Sequence, residues 1–112
     1  MMIRNLLQSV LLVPAIIAMF AVPAAADEAW RDEAVKLAKE EPKIRDAMWS
    51  QSISFWITLD DDGTDRSGYA SFVCLLLNQA GKPEGNFVIV TAWDHVSTAT
   101  NNPKQLGKAQ CN

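Results

Sequence analysis

Tyr-Ala-Ser-Phe-Val-Cys-Leu-Leu-Leu, residues 69–77, is the stretch on which the fold turns. A nearly continuous apolar run of this length reads as a strand buried on both faces, the pattern of a central strand. A second such run, Phe87–Trp93 (Phe-Val-Ile-Val-Thr-Ala-Trp), follows it. Between them Asn78–Asn86 holds Gly81, Pro83 and Gly85, the residues of a loop. Upstream the pattern alternates: Ile53, Phe55, Ile57 and Leu59 share one face and Ser52, Ser54, Trp56 and Thr58 the other. That is the period of a strand with one wet side. Asp60–Gly68 is polar, with Asp62-Gly63 the expected reversal because glycine accepts the positive φ of tight turns. Thr98–Pro103 reads as another loop, and Gln105–Cys111 as a short edge strand.

Towards the N-terminus the period lengthens. Trp30, Ala34, Leu37, Ile44 and Met48 are spaced by three, four or seven, while Arg31, Glu33, Lys36, Lys39 and Glu40 lie off that line. This is an amphipathic helix with one buried stripe. Pro42 removes a backbone donor within it, so the segment is one kinked helix or two helices, the second starting at Pro42. Short connections favour antiparallel neighbours. The expected fold is therefore α+β, an N-terminal kinked helix packed on a three- to four-stranded antiparallel sheet. The order of elements resembles cystatin-like domains in architecture alone, without their binding-motif residues, and architecture does not determine function.

Residues 1–26 carry the three-part pattern of a cleaved export signal: Arg4, an apolar run from Leu6 to Val22, and small residues ending Ala24-Ala25-Ala26 before Asp27-Glu28. Leu6–Ala26 is long enough, at roughly 20 residues, to cross a bilayer. However, Ser9, Pro14 and Pro23 interrupt it, and no cluster of basic residues follows to stop transfer. Cleavage is expected after Ala26, and no cysteine stands there to take a lipid. The remaining residues, 27–112, make one small domain, periplasmic or secreted. Such a chain buries only about 60% of the surface it exposes when unfolded, so it needs a staple. Cys74 and Cys111 are the only cysteines, and in an exported chain they are expected to form a disulfide.

Arg4 is the only charge in residues 1–26, so residues 27–112 carry nine basic and thirteen acidic side chains, a net of −4. That balance repels phosphate backbones and anionic lipid, which argues against nucleic acid and against membrane binding after signal cleavage.

Three motifs invite a chemical reading, the first of them in two ways. Asp60-Asp61-Asp62-Gly63-Thr64, after an apolar strand, matches the D-x-D-G-T signature of haloacid-dehalogenase-type phosphotransferases. In that family the first Asp is the nucleophile and the second a general acid and base. The resemblance covers these residues only, the family's parallel sheet and further Lys and Asp motifs exceed this length, and Asp65–Gly68 reads as a continuing turn. A solvated turn is expected instead. An EF-hand frame with its glycine at Gly63 fails, because Thr58 and Tyr69 fall where acidic ligands are required. Asp94-His95 is the only acid–imidazole pair, and Ser97 or Thr98 would have to fold back to supply a nucleophile. Ala80–Gly85 has a Gly-Lys pair without the spacing of a phosphate loop. No catalytic set, cofactor or metal is expected.

The tryptophans are the remaining signal. Trp30 belongs to the helix stripe, but Trp56 shares a strand face with serines and a threonine. Exposed tryptophan is enriched at binding hot spots. Trp56, Trp49, Trp93 and His95 are therefore the candidate binding residues. The expected function is an exported non-catalytic binding module for a protein or small ligand. The alternatives are a small hydrolase using Asp94 and His95, and a structural or assembly component of the cell envelope.

Overall fold

The computed structural model describes residues 22–112, with side chains from Asp27 onward; residues 1–21 of the expected signal lie outside the described residues. Helix α1 (Val22–Lys39) leads into β1 (Asp46–Gln51) and β2 (Ser54–Leu59), then α2 (Ser67–Ala80), β3 (Val88–Asp94), a 3₁₀ turn (Val96–Ala99) and β4 (Gln105–Cys111). The expected cleavage point after Ala26 falls within the first turns of α1. The four strands form one sheet in the order β1-β2-β3-β4. β1 and β4 run antiparallel to their neighbours, while β2 and β3 run parallel. The domain is α+β with its helices packed on the sheet, as expected, but the sheet is mixed where an antiparallel one was expected.

Residues 69–77 cause that difference, because they are helical. Ala70, Val73, Leu76 and Leu77 of α2 are buried at spacings of three and four, one stripe of a helix. Only Val73 in the run is β-branched, and leucine and alanine are strong helix formers. Val88–Thr91, by contrast, places four β-branched residues in succession and is a strand. The side chain of Asp65 accepts the Ser67 N–H at 3.0 Å, which opens the helix. Asp65–Gly68 thus leads into α2 and does not prolong a turn. At the other end Gly81 takes φ +109°, and the N–H groups of Gly81 and Lys82 close on Asn78 O and Leu77 O at 3.1 and 3.0 Å. This is a Schellman closure, which needs a residue tolerant of the left-handed region. The crossover helix is what lets β2 and β3 lie parallel.

The kink at Pro42 is the second correction. α1 ends at Lys39, and the residues expected to continue it form β1, paired with β2 through Met48↔Trp56 and Trp49↔Phe55. Met48 and Trp49 therefore face opposite sides of the sheet. Backbone pairing with β2 outweighs the helical spacing, which Pro42 had already broken.

Both helices cover one face. Phe55, Ile57 and Leu59 of β2 and Val88, Val90 and Ala92 of β3 are at most 1% exposed there. Each large side chain so buried contributes about 1.5–3 kcal/mol. Trp30, Ala34 and Ala38, four residues apart, form the buried stripe of α1. The N-terminus of α2 lies against β4 so closely that a Cβ at Gly107 would stand 2.3 Å from Ser67 N. The expected disulfide joins Cys74 on α2 to Cys111 at the end of β4, with Cα atoms 5.4 Å apart. Among the described residues no helix is long and apolar enough to cross a membrane.

Candidate functional site

The alternation along β2 leaves Ser54, Trp56 and Thr58 on the face opposite the helices. The parallel register pairs Trp56 with Thr91 and Thr58 with Trp93, so Trp93 falls on that same face one step along. The two indoles meet edge to face, with centroids 5.2 Å apart and planes at 65°. Such a geometry is favourable for aromatic pairs beyond the area it buries. Met48, paired with Trp56 from β1, completes an apolar row and is 50% exposed. The 3₁₀ turn and the loop after it rise beside these residues. Together Met48, Trp56, Thr58, Trp93, Thr98 and Pro103 enclose a concavity of about 250 Å³, with Asp46 and Ala47 at its β1 side. Trp93 carries a further feature: its indole N–H is buried and has no acceptor among the described residues.

His95 is tied to this pocket through Thr58. Its Nδ1 and the Thr58 hydroxyl share a hydrogen bond of 2.8 Å, whose direction is set by the imidazole tautomer. Its backbone N–H donates to Leu59 O at 2.8 Å, which ties the end of β3 to the end of β2. Three of the four expected binding residues, Trp56, Trp93 and His95, are therefore brought together.

Trp49 is not. It lies on the helix side, its ring 4.7 Å from Phe55 and 5.4 Å from Trp30, and its indole N–H donates to Arg31 O at 3.1 Å. The Arg31 guanidinium sits 4.7 Å from both the Trp30 and Trp49 rings, and its Nη1 donates to Ser52 O at 2.6 Å. Trp49 thus anchors α1 to the β1–β2 hairpin.

The Asp94, His95 and Ser97 side chains lie within one turn, but their hydrogen bonds serve the chain itself. The Ser97 N–H donates to the Asp94 carboxylate at 3.2 Å, and the Ser97 hydroxyl donates to Asp94 O at 3.0 Å and accepts the Lys104 N–H at 2.8 Å. Among the described residues none of these bonds joins His95 to Asp94 or to Ser97. The acidic loop is similarly engaged. Lys104 Nζ donates to Asp61 at 2.6 Å, and this bond chiefly holds the Asp61 carboxyl below the usual carboxylate range. Hydrogen bonds from the Thr64 hydroxyl and the Ser67 hydroxyl do the same for Asp62 and Asp65. Arg45 donates to Asp60 at 3.1 Å. Carboxyls held low in this way are poor general acids near neutrality. Gly63 has φ +84°, as the turn requires, and among the described residues no three His, Cys, Asp or Glu side chains are grouped to hold a metal ion.

Met48, Thr58, Thr98 and Pro103 are pocket residues that sequence reasoning did not single out. Thr58 was legible, since it shares the wet face of β2 with Trp56. Met48 was hidden by its helical spacing from Ile44, and Thr98 and Pro103 reach the pocket only through the fold of a loop. No known family, curated protein or solved structure matches this chain.

Proposed function

We propose that this chain is an exported, non-catalytic binding module, and that the face of its sheet opposite α1 and α2, around Trp56 and Trp93, is the surface that meets its protein or small-ligand partner. The observation that carries the reading is the half-buried pair of indoles walling a concavity of about 250 Å³ on a face that, among the described residues, no helix covers. Tryptophan in a partly formed pocket is the usual centre of a binding hot spot. The export half rests on the pattern of residues 1–26 and on the Cys74–Cys111 bridge, which suits an oxidising compartment.

The test is affinity capture from a cell-envelope extract with residues 27–112 as bait, run in parallel with Trp56→Ala and with Leu75→Ser, a change at an exposed position on α2 far from the pocket. A partner that is retained by Leu75→Ser and lost by Trp56→Ala, at unchanged circular dichroism, is the expected result. Capture that survives both Trp56→Ala and Trp93→Ala refutes the assignment of this face.

A further inference from the structure

The domain already holds one guanidinium in a nest of two tryptophans and a carboxylate. Trp30 and Trp49 meet edge to face at 5.4 Å and 87°. The Arg31 guanidinium lies 4.7 Å from each ring, and its Nε is 3.5 Å from the Asp27 carboxylate. On the opposite face the same parts recur. Trp56 and Trp93 meet at 5.2 Å and 65°, and Asp46 lines the same concavity. Here, among the described residues, no basic side chain is stacked on either ring.

We propose that the pocket between Trp56, Trp93 and Asp46 receives a single arginine side chain from a partner polypeptide. The proposal rests on the reading of this face as the recognition surface and adds the chemistry it recognises. Size favours one side chain, because about 250 Å³ lies below the roughly 300–1,000 Å³ of small-molecule sites. Polarity favours an amphipathic one. Met48 and Pro103 offer an apolar wall for a methylene stem, the indoles offer aromatic faces to a planar cation, and the charged residue in the lining among the described residues, Asp46, is acidic. Guanidinium stacks on aromatic faces and pairs with carboxylates in one plane, which an ammonium does not do. Asp46 is available for this. Its Oδ1 accepts the Ala47 N–H at 2.9 Å, and Lys39 approaches only to 3.6 Å, with both side chains more than half exposed. An exposed pair of that kind is weak. The net charge of −4 on residues 27–112 favours encounter with a basic partner.

The experiment follows the tryptophan indole N–H signals of the mature domain by NMR. Acetyl-Gly-Arg-Gly-amide is titrated against the citrulline peptide of the same shape without charge, and against the lysine peptide. The Trp56 and Trp93 signals are expected to move saturably with the arginine peptide, while those of Trp30 and Trp49 stay in place. Affinity is expected to fall roughly fivefold or more for citrulline, and by less for lysine. Asp46→Asn should narrow the difference between the arginine and citrulline peptides and leave citrulline unchanged, a readout that misfolding would not produce. Equal binding of arginine and citrulline overturns the charge recognition, as does stronger binding of lysine. So does the absence of any saturable shift. In each of these cases, partner capture that still depends on Trp56 leaves the recognition surface standing, and capture that no longer depends on it removes that reading as well.

Discussion

Gly107→Ala tests whether residues 67–80 form a helix seated on β4. An alanine Cβ at this position would lie 2.3 Å from Ser67 N, 2.5 Å from Arg66 C and 2.9 Å from Ser67 Cα, all of them backbone atoms that cannot rotate away. The helix start must therefore lift off the strand. Overpacking of this kind costs about 1–3 kcal/mol. Lifting also breaks the hydrogen bond from Arg66 N–H to Leu106 O, 3.0 Å in the native fold, which adds about 1 kcal/mol. The expected destabilisation is about 2–4 kcal/mol, a fall in melting temperature of roughly 10–25 °C for a domain of this size. Gly68→Ala is the control, because nothing lies within 4 Å of an added Cβ there and the residue is in the first turn of α2. It is expected to be neutral or to stabilise by up to about 1 kcal/mol, since alanine is the better helix former. Urea unfolding followed by far-ultraviolet circular dichroism measures both. A Gly107→Ala midpoint equal to the wild type, or a Gly68→Ala variant as unstable as Gly107→Ala, would sink the placement of α2.

Three other expectations follow. Cys111→Ser opens a bridge between residues 37 apart in sequence and should remove about 4 kcal/mol on the chain-entropy estimate, with faster hydrogen exchange along β4; the wild type should show no thiol in denaturing, non-reducing titration. Asp61, Asp62 and Asp65 have folded-state carboxyls below the ordinary 3.8, so the small stability they contribute is present above that pH and declines as pH falls through it. Lys104, raised above 10.5, contributes below that pH and ceases to as pH rises past it. Urea midpoints against pH should therefore fall at both ends, and Lys104→Met should flatten the alkaline limb; an unchanged limb in that variant would contradict the Asp61–Lys104 contact. The exported protein should begin at Asp27 by intact mass, and a species that retains residues 1–26 would favour an anchor over a cleaved signal.

What sequence alone determined is what depends on near neighbours in the chain. The two-residue period of Ile53–Leu59 announced β2 and its wet face, because alternation is imposed by the strand backbone itself. The β-branched run before Trp93 announced β3, and the sparse apolar pattern of Gln105–Cys111 announced an edge strand. The spacing of Trp30, Ala34 and Leu37 announced α1, and two cysteines in a chain read as exported implied the bridge. Where a run is apolar on every side, periodicity says little, and residues 69–77 show it: the run reads as a central strand, yet it folds as a helix that buries one stripe and leaves Phe72 and Leu75 exposed. The scarcity of β-branched residues, the extra polar turns at each end and the glycine cap were the local signs of a helix. Tertiary structure decided the remainder. Whether β2 and β3 run parallel depends on the crossover between them, and the meeting of Trp56 with Trp93 depends on their register, 37 residues apart in sequence. The same holds for Met48, which joins the pocket only because β1 pairs with β2 instead of prolonging α1. Register and strand direction are set by the sum of contacts across the sheet, a quantity that no single stretch of sequence carries.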